Sequence, residues 1–310
     1  MKIIFILFTL FFSVMSSATS LNKVVVFGDS LSDNGNLYEY MKHELPLSPP
    51  YYKGRFTNGP VWVELLMNHY YSKDPQSHLL DYAFGGAGIA ENDADSDPDD
   101  ILFTLNREID SYLLSHNDKA DDTSLYVVWM GANNYLGAPE DIDATVGAVT
   151  SGIKHELQRL VQKGAKHIMV VNLPDLGNTP AARDFDSVST LTALSIKHNQ
   201  VLKEIVSELE SSDASVQWFY FNINEIIDDM LGFPEQYGIT NTDATCYEEM
   251  VNPSSERTVL KMVSSVKPRT TVDACTGYLF FDPVHPSEVA HIEMAKRTKK
   301  MLDDAGIKFE

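Results

Sequence analysis

Ser30 stands in the stretch Phe27-Gly28-Asp29-Ser30-Leu31-Ser32-Asp33-Asn34-Gly35-Asn36, directly after the apolar run Lys23-Val24-Val25-Val26. A buried strand that ends in a small-residue turn can present a serine hydroxyl at the end of a sheet. The hydroxyl is a weak nucleophile at its own pKa, and it needs a base beside it and donors for the oxyanion it creates. Candidates for both lie downstream. Asp282-Pro283-Val284-His285-Pro286 sets an acid and an imidazole three residues apart, so that one short loop restricted by two prolines can hold both. Two more strand ends lead into small or amide residues, Tyr82-Ala83-Phe84-Gly85-Gly86-Ala87 and Trp129-Met130-Gly131-Ala132-Asn133-Asn134. Taken alone, each feature also has a plainer reading: Ser30 as a helix N-cap, Gly85-Gly86 as a tight turn, Asn133 as an Asx turn.

These four motifs, in this order, resemble the GDSL lipase/esterase family, the SGNH hydrolases. The resemblance implies Ser30 as nucleophile, His285 as the base that takes the hydroxyl proton and returns it to the leaving alcohol, and Asp282 as the group that holds the imidazole tautomer. The oxyanion donors would be the backbone N–H groups of Ser30 and Gly86 and the side-chain amide of Asn133. The chain departs from the commoner family pattern at Asp81, where many relatives have Asn, and at Asn134, where Asp is usual. Neither is a reacting group, so the departures bear on local hydrogen bonding. His291 is the nearest rival base, but it falls within an expected helix. Ser32 holds the place of the last glycine of a Gly-x-Ser-x-Gly elbow, which argues against an α/β-hydrolase.

The elements that must position these residues alternate. Strands are predicted at residues 23–27, 79–84, 125–130, 167–173 and 216–221. Helices are predicted after Pro60, from Asp141 to Gly164 with Ile142, Val146, Val149, Ile153, Leu157, Leu160 and Val161 on one face, around 191–209, and over 287–302. Alternation predicts a three-layer α/β/α arrangement on a parallel sheet, and the resemblance implies five strands in flavodoxin-like order. Ligands of such sheets bind beyond the carboxyl ends of the strands, where Ser30, Gly86 and Asn133 all fall.

With 310 residues and 44% hydrophobic composition, the chain can bury a substantial core. The net charge of -20 argues against nucleic acid and against simple docking on anionic lipid. Part of the acid sits in residues 91–100, which read as a solvated loop and lack EF-hand spacing. Residues 1–18 read as a secretory signal peptide: Lys2, an apolar stretch, then Ser16-Ser17-Ala18, with cleavage after Ala18 or near Ser20. Residues 19–310 then form a single hydrolase domain, interrupted at about 233–278 by an insertion that holds both cysteines. In an exported chain Cys246 and Cys275 are expected to pair, closing a loop of about 30 residues. The expected location is the periplasm and then the medium of a Gram-negative bacterium.

The long first motif, Gly54-Arg55-Phe56-Thr57-Asn58-Gly59-Pro60 and the cysteine-bearing insertion look most like secreted lysophospholipases A and the related glycerophospholipid:cholesterol acyltransferases. That likeness implies hydrolysis of lysophospholipids at a membrane lipid surface, with a sterol as a possible acyl acceptor and no cofactor, metal or nucleic acid involved. Tyr51, Tyr52, Phe56 and Trp62 could line an acyl channel or be ordinary core. The main rival is an esterase of acetylated carbohydrate or other small esters. A dinucleotide-binding reading of Gly85-Gly86-Ala87-Gly88 is weaker, since the acidic stretch, not a helix, follows it. A silent binding module would have no need for Ser30, Asp282 and His285 together.

Overall fold

A computed structural model describes residues 19–89, 103–246, 263 and 275–310. The expected signal peptide, the acidic stretch at 91–100 and most of the insertion between the cysteines lie outside the described residues. The strands are β1 (Thr19–Leu21), β2 (Lys23–Gly28), β3 (Leu79–Asp81), β4 (Ser124–Trp129), β5 (His167–Val171), β6 (Gln217–Phe221), β7 (Asn241–Thr245), β8 (Tyr278–Phe280) and β9 (Ile307–Phe309). The helices are α1 (Asn36–Tyr40), α2 (Trp62–Tyr70), α3 (Leu105–Ser115), α4 (Ala132–Tyr135), α5 (Ile142–Lys163), α6 (Pro180–Asp184), α7 (Val188–Ser212), α8 (Ile223–Gly232) and α9 (Glu288–Asp304).

Five strands make the central sheet in the order β3-β2-β4-β5-β6, all parallel. This is the flavodoxin-like order the motifs imply. Val24, Val25, Val26 and Phe27 are wholly buried, as a strand covered on both faces requires. The order reverses at β2, so right-handed crossovers put the β2–β3 connection on one face and the three later connections on the other. Accordingly α2 and α8 pack against α9 in one layer, while α3 and α7 flank α5 in the opposite layer. α5 shows why its residues form a helix. Asp141 accepts the Ala144 amide at its start, and Val146, Val149, Ile153, Leu157 and Leu160 bury one stripe. Among the described residues, no helix is long and apolar enough to cross a membrane.

One expectation changes, and one helix had no counterpart in the sequence reading. The strand predicted over 79–84 is regular only through Asp81. Beyond it, side chains replace part of the ladder. The Gly28 amide donates to Glu108 Oε2 (2.9 Å), and Asn36 Nδ2 donates to the carbonyls of Asp81 and Ala83 (2.9 Å each). α3 was not legible from periodicity, because it buries Glu108 on the same stripe as Leu105, Ile109, Tyr112 and Leu113. At the base of the insertion β7 and β8 pair in parallel, and a disulfide joins Cys246 to Cys275.

Candidate active site

β2 delivers the serine. After Gly28 the chain turns sharply: Asp29 Oδ1 accepts the Leu31 amide (3.0 Å), and the Asp29 carbonyl accepts from Ser32 and Asp33 (3.0 Å each). Those bonds use the amides that follow Ser30 and not its own. The Ser30 hydroxyl lies 2.8 Å from His285 Nε2, and His285 Nδ1 lies 2.6 Å from Asp282 Oδ2. A carboxylate only accepts, so Nδ1 carries the proton and Nε2 is left to take the serine's. The three residues thus form the hydrogen-bonded chain the sequence leads one to expect, and all are 4% exposed or less.

The Asp282–His285 loop is anchored from several sides. Asp282 Oδ1 accepts the amides of Val284 (2.9 Å) and His285 (2.8 Å), and the Phe281 amide donates to the His285 carbonyl (2.8 Å). Residues 51–58 add a second brace that sequence reasoning missed. Tyr51 donates its hydroxyl to Asp282 Oδ2 (2.8 Å), the oxygen that also faces His285. Phe56 packs against the His285 ring, with centroids 5.2 Å apart. Thr57 Oγ1 donates to the Pro286 carbonyl (2.9 Å), and the Glu288 amide donates to Asn58 Oδ1 (2.8 Å). Arg55 fixes this brace to α2 through a fork on Glu64, Nε to Oε2 at 3.1 Å and Nη2 to Oε1 at 2.6 Å. Tyr51, Phe56 and Trp62 are therefore buried supports, not channel walls: Trp62 donates Nε1 to Ser32 Oγ and its amide to His291 Nδ1. His291 accepts that amide and is wholly enclosed; burial and the nearby His285 push it down to about 3, so it stays neutral.

The turns that carry the expected oxyanion donors Gly86 and Asn133 are tied together at Ala87. Ala87 donates its amide to the Phe84 carbonyl (3.0 Å), closing a four-residue turn with Gly86 at φ 80°. This is the position of a type II turn that favours glycine, and its amide is not used by the turn. Gly85 is constrained differently: a Cβ there would stand 2.3 Å from the Phe56 ring. Asp33 ties the two motifs together. Its Oδ2 accepts from Gly85 (2.7 Å) and Leu37 (3.2 Å), and its Oδ1 from Gly35 (2.7 Å) and Asn36 (2.6 Å). Asn133 donates one amide hydrogen to the Ala87 carbonyl (2.7 Å), which leaves the other for the cavity it shares with Ser30. Asn134 explains its departure from the usual Asp. It accepts the Ile89 amide (2.9 Å) and donates to the Ile89 carbonyl (2.8 Å), and a carboxylate could not do the second.

The cavity in front of Ser30 encloses about 60 Å³ and opens to solvent. Its walls are mostly apolar, and half of the lining residues, Leu136, Leu176 and Ile227 among them, lie outside the motifs.

Loss of the Tyr51 hydroxyl should be felt at the reacting groups. Tyr51→Phe is expected to lower kcat about tenfold, the effect of one lost hydrogen bond to a charged group, with KM changed less than about twofold. Steady-state kinetics checks the split; a rise in KM alone would make Tyr51 a substrate contact. A second expectation concerns stability. Burial raises Asp29 and Asp33 to about 6, against the opposing pull of backbone amides, and raises Asp81 and Glu108 well above the carboxylate range. The folded state therefore binds these protons more tightly than the unfolded chain. Stability should rise as pH falls from 7.5 through about 6 toward 4, and be lost in the other direction. Urea midpoints at pH 7.5 and 5.5 test this, with the higher midpoint expected at pH 5.5.

A parallel five-stranded sheet with a Ser–His–Asp chain at its carboxyl end, where three motif loops meet, defines an ester hydrolase of the SGNH type. The chain belongs to the GDSL-like lipase/acylhydrolase family, whose profile matches residues 24–298. It is 31% identical to a phosphatidylcholine-sterol acyltransferase of Aeromonas hydrophila, over 93% of this chain and 92% of that one. It is 28% identical to the secreted effector protein SseJ of Salmonella typhimurium, over 89% of this chain and 62% of that longer one. A carbohydrate acetylesterase from Sinorhizobium meliloti shares the fold, with TM-score 0.51 at 11% identity, over 92% of this chain and 99% of that one.

Proposed function

We propose that this chain is an exported serine hydrolase that releases the fatty acid of lysophospholipids at a lipid surface, with a sterol hydroxyl able to replace water as acceptor. One observation carries the reading: the Ser30–His285–Asp282 hydrogen-bonded chain opens onto a mostly apolar cavity. The Aeromonas relative, named for acyl transfer from phosphatidylcholine to sterol, supports the lipid substrate and the sterol acceptor. The disulfide suits an oxidising compartment, and residues 1–18 have the composition of a signal peptide.

In this reading Ser30 Oγ attacks the ester carbonyl while His285 Nε2 takes its proton. The carbonyl oxygen gains the negative charge among the Ser30 and Gly86 amides and the Asn133 side chain. Collapse expels the glycerol-side oxygen, which leaves as an alcohol with the proton from His285. Water, or a sterol, then gives its proton to His285 and attacks the acyl-serine, and Ser30 regains its hydrogen. Asp282 stabilises the imidazolium in both halves and is not itself protonated.

Purified enzyme should cleave lysophosphatidylcholine faster than diacyl phosphatidylcholine, and both faster than acetylated xylo-oligosaccharide. Added cholesterol should yield cholesteryl ester. A preference for the acetylated sugar would overturn the lipid reading and favour a small-ester esterase.

A further inference from the structure

Asn133 sits on a helix too short to hold itself. α4 is a single turn, Ala132–Tyr135, and one turn fixes more backbone than its own hydrogen bonds repay. Its placement therefore comes from side chains. Asn133 donates to the Ala87 carbonyl (2.7 Å), and Asn134 pairs with both backbone groups of Ile89, which joins the turn to the loop that carries Gly86. Behind the turn stands α7. Tyr135 Oη and His198 Nδ1 share a 2.8 Å hydrogen bond, and both residues are wholly buried. The chain enters the turn at Gly131 with φ 124°, so close to α7 that a Cβ there would lie 2.9 Å from His198 Cε1. A helix turns about 100° per residue, so positions 133 and 135 project to roughly opposite sides of it. Asn133 lines the cavity in front of Ser30, and Tyr135 meets α7.

Burial pushes His198 down to about 3, so its ring is neutral. Among the described residues its Nε2 has no hydrogen-bond partner, a cost in stability that an aliphatic side chain in the same place would not carry. What the imidazole supplies there is the bond to Tyr135. α7 gives it a firm base: Ser195 Oγ accepts the Leu176 amide (3.1 Å), and Asn199 accepts the Leu173 amide (2.8 Å) and donates to the Leu173 carbonyl (2.7 Å). One helix thus grips the loops that follow β4 and β5. From this geometry we infer that Tyr135 and His198 are positioning residues of the reaction, whose bond holds the Asn133 amide where it meets the oxyanion. The inference rests on the serine-hydrolase reading above. Neither residue lines the cavity, so both act through Asn133.

The test is a double-variant cycle on nitrophenyl ester hydrolysis, run well below each variant's melting midpoint. Tyr135→Phe should lower kcat about tenfold with KM changed less than about twofold, as a misplaced transition-state donor requires. In the Asn133→Ala background the same change should lower kcat less than about twofold, because the donor it positions is gone. His198→Leu should repeat both results, and it serves where Tyr135→Phe fails to fold. His198→Asn should keep kcat within about threefold of the natural enzyme, since its amide can accept or donate where Nδ1 stood. An unchanged kcat, a change in KM alone, a loss by His198→Asn as large as by His198→Leu, or an undiminished loss in the Asn133→Ala background would overturn the inference. Each of these results sinks the positioning role alone, provided that Asn133→Ala by itself lowers kcat. If Asn133→Ala leaves kcat level, the oxyanion reading fails and this inference with it.

Discussion

Ser30→Ala reduces ester hydrolysis to near background, a loss of about 10⁴-fold or more, while the protein stays folded. The expectation follows from position: the hydroxyl is 2.8 Å from His285 Nε2 and, among the described residues, makes no further hydrogen bond. His285→Ala should lose nearly as much, and the double variant little more, because the groups act as one unit. Asp282→Asn should be milder in chemistry but not silent. One oxygen of Asp282 accepts two backbone amides and the other faces Tyr51 and His285, so an amide NH₂ placed on either side meets donors. Turnover on a lysophospholipid and a thermal melt for each variant check the prediction. Normal turnover by Ser30→Ala would end the serine mechanism.

Asn133→Ala lowers kcat by about 10²–10³-fold, the usual effect of removing one oxyanion donor. KM should change far less, because the charge that Asn133 meets develops only near the transition state. The same substitution also removes the 2.7 Å bond to the Ala87 carbonyl, which helps hold the Gly86 turn beside Ser30. Asn133→Asp is the sharper variant, since it keeps the size of the side chain and removes both donors. Pre-steady-state kinetics separates acylation from binding; a raised KM with level kcat would make Asn133 a binding residue.

The Ser30, Asp282 and His285 chain and the strands that lead to it were legible because each belongs to a local signal: a strand followed by a small-residue turn, or an Asp and a His within one short loop; the sheet order came with the family resemblance. What remained hidden depends on contacts distant in sequence. Tyr51 meets Asp282 across 231 positions, and nothing in the periodicity around Tyr51 separates a donor from core. Sequence left open whether Tyr51, Phe56 and Trp62 were channel or core, and burial decides for core. The cavity walls at Ile227 and Met294 read as ordinary amphipathic helix positions, since a helix stripe facing a cavity looks like one facing a core. Buried carboxylates carry no sequence signal of their own either. Glu108 lies on the apolar stripe of α3 because it takes the Gly28 amide, and Asp33 carries four amides that join the serine turn to the glycine turn. Asp81 and Asn134, the two departures from the family pattern, both proved to be matters of local bonding: Asp81 accepts the Ala83 amide, and Asn134 pairs with both backbone groups of Ile89.

The central claim is that Ser30 is the nucleophile, and active-site labelling addresses it most directly. A fluorophosphonate reacts with an activated serine by displacement of fluoride, and peptide mass mapping locates the adduct. A single adduct on the peptide that contains Ser30 is expected, formed in step with loss of activity and absent from Ser30→Ala. An adduct on a different serine, or full activity with Ser30 labelled, would contradict the account.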